Sequence, residues 1–175
     1  NKLASVGLDG VVRLWLFPSF SLLAELRGHD DFIWSIGTLG EDRLVSVGRD
    51  GSIRWWDASG LQPTALEVST SMPVSDVAFV WNEVLVAISE FDSSVQVVNV
   101  RTGNREEITS AVDHELSTVE FVPTTATVIT GDVNGQVRSW NIESMKPGIL
   151  IGSCKRQISS MDVSRFGKMV AVGTF

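Results

Sequence analysis

The chain has 175 residues, 43% of them hydrophobic and 20% charged, which is the composition of a folded protein and excludes a disordered tail. Twenty-one acidic residues against 14 basic ones leave a net charge of −7, the wrong sign for general binding to a phosphate backbone, so nucleic acid is not expected as the main partner. No apolar run approaches the roughly 18 residues that span a bilayer, and the opening NKLASVGLDG lacks the layout of a secretion signal. The single cysteine, Cys154, cannot form an internal disulfide and no Asn-x-Ser/Thr sequon occurs, so an intracellular location, cytoplasmic or nuclear, is expected. With no initiator Met and an end at VAVGTF, in the middle of a strand pattern, the chain is expected to be an excerpt of a longer protein.

Taken in chain order, the predicted elements follow one recurring plan. NKLASVG (1–7) reads as a strand, and LDGVVRLWLF from Leu8 as a turn and a second strand. The plan returns as FIWSIGT from Phe32, RLVSVG and RDGSIRWWDA from Arg49. It returns again as VSDVAFV from Val74, VLVAIS and FDSSVQVVNV from Phe91, and then as LSTVEFV from Leu116, TVITGD and VNGQVRSWNI from Val133. ISSMDVS from Ile158 and KMVAVG begin one more round. The turn segments start 41, 42 and 42 residues apart. Short runs of β-branched and apolar residues, cut by Asp-Gly, Asn-Gly or Asp-Ser turns that tolerate positive φ, predict hairpin-linked strands. Pro63, Pro73, Pro123 and Pro147 are placed between strands, and no long window keeps a helical apolar period, so the expected class is all-β.

A unit near 40 residues with a Gly-His start and a Trp-Asp end is a propeller-blade signature. Gly28-His29, Ser46, Asp50-Gly51 and Trp56-Asp57 fall in the order and spacing of a WD40 repeat, and the chain resembles that family over essentially its whole length. The resemblance implies a β-propeller built from four-stranded antiparallel blades, with about four repeats present of a seven-bladed ring. Residues 1–28 would be the end of a blade, 29–69 a well-matched repeat, 70–111 and 112–153 two diverged repeats, and 154–175 the start of another, all within one partial propeller.

The resemblance also assigns roles. His29, Ser46, Asp50 and Trp56 would form a buried hydrogen-bonded chain, and the chemistry is self-consistent, because an indole only donates, a hydroxyl does both, an imidazole relays and a carboxylate accepts. The same register gives Ser5, Asp9 and Trp15 in the first round, and Thr130, Asn134 and Trp140 in the fourth, where Val112 stands in the histidine's place. The third has Thr70, Ile88, Asp92 and Val98, so its hydroxyl and indole are both aliphatic, a joint loss that can be nearly neutral. Positions that in this family face the narrow opening of the ring are Phe32, Trp34 and Arg49 in the best repeat. Their counterparts elsewhere include Leu8, Ser75, Phe91, Glu115, Ser117, Val133 and Ser159. An aromatic pair beside an arginine, rimmed by Glu115, has the composition of an interaction hot spot, so Phe32, Trp34, Arg49, Phe91 and Glu115 are the candidate partner-binding residues.

Catalytic readings find little material. Of two histidines, His29 is taken structurally and His114 is expected in a solvated loop, leaving no nucleophile, base and acid to combine. Cys154 beside Lys155 and Arg156 has no partner residue to make it a nucleophile. There is no paired Cys or His motif, no calcium loop and no phosphate loop; Asp30-Asp31 reads as an acidic pair in a loop. The expectation is a protein without enzymatic activity, cofactor or metal, serving as a scaffold that holds other proteins or peptides in a complex. The alternative is a sensor or regulatory propeller of a longer multidomain protein whose catalytic domain lies outside this segment.

Overall fold

The computed structural model describes residues 1–39, 42–59, 62–69, 73–80, 84–89, 95–99, 102–108, 114–122, 124–146, 148–164 and 166–175, with backbone alone at 39, 62–68 and 84–89. These residues form strands and turns, in five antiparallel sheets. Contacts divide the chain into two compact units, Asn1–Val74 and Ser75–Phe175.

In the first unit, β1 (Lys2–Ser5), β2 (Val11–Leu16) and β3 (Ser21–Arg27) make a three-stranded sheet. β4 (Ile33–Leu39), β5 (Arg43–Gly48), β6 (Ser52–Asp57) and β7 (Gln62–Ser69) make a four-stranded one in sequence order. The β5–β6 hairpin turns at Asp50-Gly51, where Gly51 sits at φ 70°, a left-handed backbone that favours glycine. Val12, Leu14 and Leu26 on one face of the first sheet meet Ile33, Leu44, Trp56 and Ala58 of the second, so the unit's core is a sandwich of two sheet faces.

In the second unit, β8 (Val74–Phe79, all but its first residue within the unit), β9 (Val84–Ser89), β10 (Val95–Asn99) and β11 (Arg105–Ile108) form one sheet. β12 (Leu116–Val122), β13 (Thr127–Asp132), β14 (Gln136–Asn141) and β15 (Ile149–Ser153) form the next, and β16 (Ile158–Val163) pairs with β17 (Val170–Thr174). Trp140 is fully buried in a cluster with Ala78, Val95, Ile108, Leu116 and Val119, while Ile129, Val137, Ile158 and Met161 form a second cluster on the other side of the β12–β15 sheet.

Three of the strands that open a round, β4, β12 and β16, share a defect. The pairing register shifts between Ile33 and Ser35, between Leu116 and Thr118, and between Ile158 and Ser160, so Trp34, Ser117 and Ser159 are each the extra residue of a β-bulge. Bulges leave one residue out of the ladder and re-aim its side chain.

Two local expectations need correction. Pro63 lies within β7, opposite Trp56, and not between strands; β7 ends the sheet order, where the missing N–H of proline is tolerated. Lys168 and Met169 precede β17 and do not start it. Pro123 and Pro147 lie outside the described residues.

Candidate functional site

Strands β5 and β6 and the loop ahead of β4 bring four side chains into one chain of hydrogen bonds. Trp56 Nε1 donates to Ser46 Oγ at 2.8 Å, Ser46 Oγ lies 2.7 Å from His29 Nε2, and His29 Nδ1 lies 2.9 Å from Asp50 Oδ2. Because the indole can only donate, the serine hydrogen is directed to Nε2, which leaves the Nδ1 hydrogen for Asp50. Ser52 is a fifth member: its hydroxyl donates to Asp50 Oδ1 at 2.8 Å and lies 3.0 Å from His29 Nδ1. Burial alone would raise the Asp50 carboxyl, but bonds from the Ser52 N–H and hydroxyl and from the Asp30 N–H, with the pull of His29, hold it below its ordinary range. Gly48 makes room, since a Cβ there would lie 2.6 Å from the Phe32 carbonyl, 3.1 Å from His29 Nδ1 and 3.2 Å from Asp50 Oδ1.

Hydroxyl, imidazole and carboxylate stand here in the order of a hydrolytic triad, and the surroundings decide what they can do. Ser46 and the His29 side chain are 0% exposed, and the serine oxygen is already accepting an indole N–H. No substrate carbonyl can reach that oxygen, so the group acts as a clamp joining loop, β5 and β6 rather than as a nucleophile.

The other rounds keep parts of this clamp. Trp15 Nε1 donates to Ser5 Oγ at 2.8 Å, but Asp9 turns to Arg13 at 2.6 Å, an exposed ion pair that Glu25 extends. Trp140 Nε1 donates to Thr130 Oγ1 at 2.8 Å. Asn134, expected in the acid's place, is exposed, and Asp132 takes that place instead. The Asp132 residue is 1% exposed, and its Oδ1 accepts the N–H groups of Asn134 and Gln136 at 2.9 and 2.8 Å. The reason is geometric: Asp132 stands at the Gly48 position, from which a side chain points at the site of the Asp50 carboxylate. Its Oδ2 has no partner. In the third round Val98 is buried, whereas Thr70 and Asp92 lie outside the described residues.

The candidate binding residues Phe32, Trp34 and Arg49 come together on the first unit. The Phe32 and Trp34 rings meet edge to face with centroids 6.0 Å apart, and the Arg49 guanidinium carbon lies 5.8 Å from the centre of the Phe32 ring. Trp34, held out by its bulge, is 42% exposed. Asp31, read from the sequence only as one of an acidic pair in a loop, faces Arg49 at 3.9 Å. Glu115 is exposed on the second unit, where its carbonyl accepts the Val133 N–H as Phe32 accepts that of Arg49; Phe91 lies outside the described residues. At the positions matching Trp34, the Ser75 hydroxyl donates to the Leu116 carbonyl at 3.3 Å and that of Ser117 to Ile158 at 2.6 Å, so these side chains pin one sheet to the next. His114 is half-buried rather than fully solvated. Among the described residues, no group of three His, Cys, Asp or Glu could hold a metal ion, and no helix is long and apolar enough to cross a membrane.

Antiparallel sheets recurring at one period, clamped by a tryptophan–hydroxyl bond, define a blade-repeat architecture. Residues 20–57 match the family described as WD domain, G-beta repeat. The chain is similar to the DENN domain and WD repeat-containing protein SCD1 of Arabidopsis thaliana, 21% identical over 87% of this chain and 13% of that protein. It is similar to telomerase protein component 1 of Rattus norvegicus, 25% identical over 81% of this chain and 6% of that protein. It also resembles eukaryotic translation initiation factor 3 subunit I of Xenopus laevis, 23% identical over 94% of this chain and 54% of that protein. Residues 20–57 carry a WD40 repeat, and the all-β build of small antiparallel sheets is consistent with WD40 blades. WD40 repeats as a class mediate protein–protein interaction and are typically non-catalytic. The chain spans at most about half the length of these relatives.

Proposed function

We propose that this chain is a non-catalytic platform that holds partner proteins in an intracellular complex, with Phe32, Trp34 and Arg49 contributing the central contacts. The observation that carries the reading is the exposed Trp34, propped against Phe32 and flanked by Arg49. Large rigid aromatic groups and arginine are the residues on which interface energy concentrates. The repeats at 1–28, 29–69, 70–111, 112–153 and 154–175 are read as blades of one larger propeller, for which seven blades would need about 290 residues. Capture of partners by the full-length protein, compared with Trp34→Ala and Arg49→Ala forms, tests the platform. Trp34→Ala is expected to weaken a true partner by more than about 2 kcal/mol without changing the fold. Partners retained equally by both variants would place the interface elsewhere.

A second reading, a regulatory propeller within a longer multidomain protein, draws support from the small share of the first two relatives that the chain covers, 13% and 6%. An adjoining catalytic motif in the full-length sequence would favour it.

A further inference from the structure

Two acids precede the strand that carries Trp34. Asp30 is exposed, and Asp31 keeps 40% of its side chain exposed while its Oδ1 accepts the Phe32 N–H at 2.8 Å. Arg49 stands against this pair, its charge facing Asp31 on one side and the Phe32 ring on the other. An apolar ledge adjoins them. The Ile33 N–H donates to the Gly7 carbonyl at 3.2 Å, and Gly10 lies so close to the His29 and Asp31 carbonyls that a Cβ would stand 3.2 and 3.0 Å from them. The turn between β1 and β2 is therefore fixed beside the acidic loop, and its Leu8 is 66% exposed.

We propose that this face receives a lysine or arginine side chain of a partner protein, its aliphatic stem along Leu8 and the Trp34 indole and its charge between Asp30 and Asp31. The proposal rests on the platform reading and adds the chemistry of the partner. Lysine and arginine are the side chains that combine a long apolar stem with a cationic head, and the face of an indole attracts that head. A glutamate or aspartate side chain here would meet Asp30 and Asp31 as like charges. The chain's net charge of −7 works in the same direction, steering basic segments toward the surface and acidic ones away.

The test is selection of a randomised, displayed heptapeptide library on the whole chain, in parallel with Trp34→Ala and with the isosteric double variant Asp30→Asn, Asp31→Asn. Peptides chosen by the wild type and not by Trp34→Ala are expected to share a lysine or arginine. Synthetic copies should bind the double variant about fivefold more weakly or worse, and should lose affinity as salt is raised. A Trp34-dependent consensus of acidic residues would overturn the basic partner and leave the platform standing. Selection of the same peptides by the wild type and Trp34→Ala, or of none that depends on Trp34, would overturn the platform reading at this face and the proposal with it.

Discussion

At the scale of single residues, the clamp in the 29–69 repeat makes definite demands. Trp56 is 1% exposed and its N–H goes to Ser46. Trp56→Phe leaves the serine oxygen without its indole donor, a loss of about 1–3 kcal/mol, and Trp56→Ala adds a cavity and raises the loss to about 3–5 kcal/mol. Denaturant unfolding of the two variants should rank them in that order. Asp50 supplies a pH signature. Its carboxyl is held below its ordinary range in the folded state, so its contribution is fully present above the unfolded value of about 3.9 and is lost as pH falls through the folded value. Asp50→Asn should lower stability at pH 7 and flatten the acid limb of the stability profile; parallel acid limbs in the two proteins would mean that this carboxylate is not what the clamp depends on. Ser46, enclosed and already accepting a hydrogen bond, should remain unlabelled by fluorophosphonate reagents under native conditions, and labelling would revive the catalytic reading of the same three groups.

At the scale of elements, the strands of the second unit hold a charged seam. Asp76 on β8 accepts from the Thr118 hydroxyl and the Val119 N–H on β12, each at 3.0 Å, which draws a carboxylate against the strand that carries Glu120. Burial, with Asp76 on β8 and Asp162 on β16, pushes the Glu120 carboxyl up to about 7, while β13 sets the apolar Ile129 opposite it. A folded value above the unfolded one means that the native state binds more protons in between. Stability contributed at this site therefore falls as pH rises from about 4 to about 7 and then levels off. Glu120→Gln should match the wild type near pH 4 and exceed it at pH 8, by on the order of 1 kcal/mol once solvent screening is discounted. A thermal melt series across that range would decide it.

How far these elements can be read in advance depends on whether their cause is local. The Asp50-Gly51 and Asn134-Gly135 turns are legible because positive φ at glycine is a property of a few residues, and with them the alternating strands on either side. The bulges at Trp34, Ser117 and Ser159 leave no such mark, since a register shift exists only between two strands. Asp132 shows the same limit at a site: counting back from Trp140 points to Asn134, and only the close approach at Gly48 reveals that an acid two residues earlier reaches the same spot. Ser52, two residues past the turn aspartate, was in principle readable as the far end of an Asx turn, but its reach to His29 was not.

At the scale of the whole molecule, one face of the first unit stands out by comparison with its neighbour. Trp56 is buried because the β1–β3 sheet lays Val12, Leu14 and Leu26 against the sheet that carries it. Trp15 makes the same bond to its serine, and cross-strand pairing sets Leu3 and Leu22 on either side of it, on the face opposite that core. Leu3 and Leu22 are 47% and 49% exposed, so around Trp15 this face presents an uncovered apolar patch, beside the Arg13–Glu25 ion pair further along the same face. β1 also ends the strand order of its sheet, which leaves it an edge at which another chain can pair. Uncovered apolar faces beside such edges drive association. The 175-residue polypeptide is therefore expected to self-associate in sedimentation velocity runs at micromolar concentration, and a Leu3→Lys, Leu22→Lys variant to shift toward monomer with its near-ultraviolet circular dichroism preserved. A monodisperse wild-type monomer would show that this face is covered in solution. Association unchanged in the double variant would assign the contact to another surface, with Ile149, Leu150 and Ile151 of β15, exposed at 71%, 52% and 52%, the next to change.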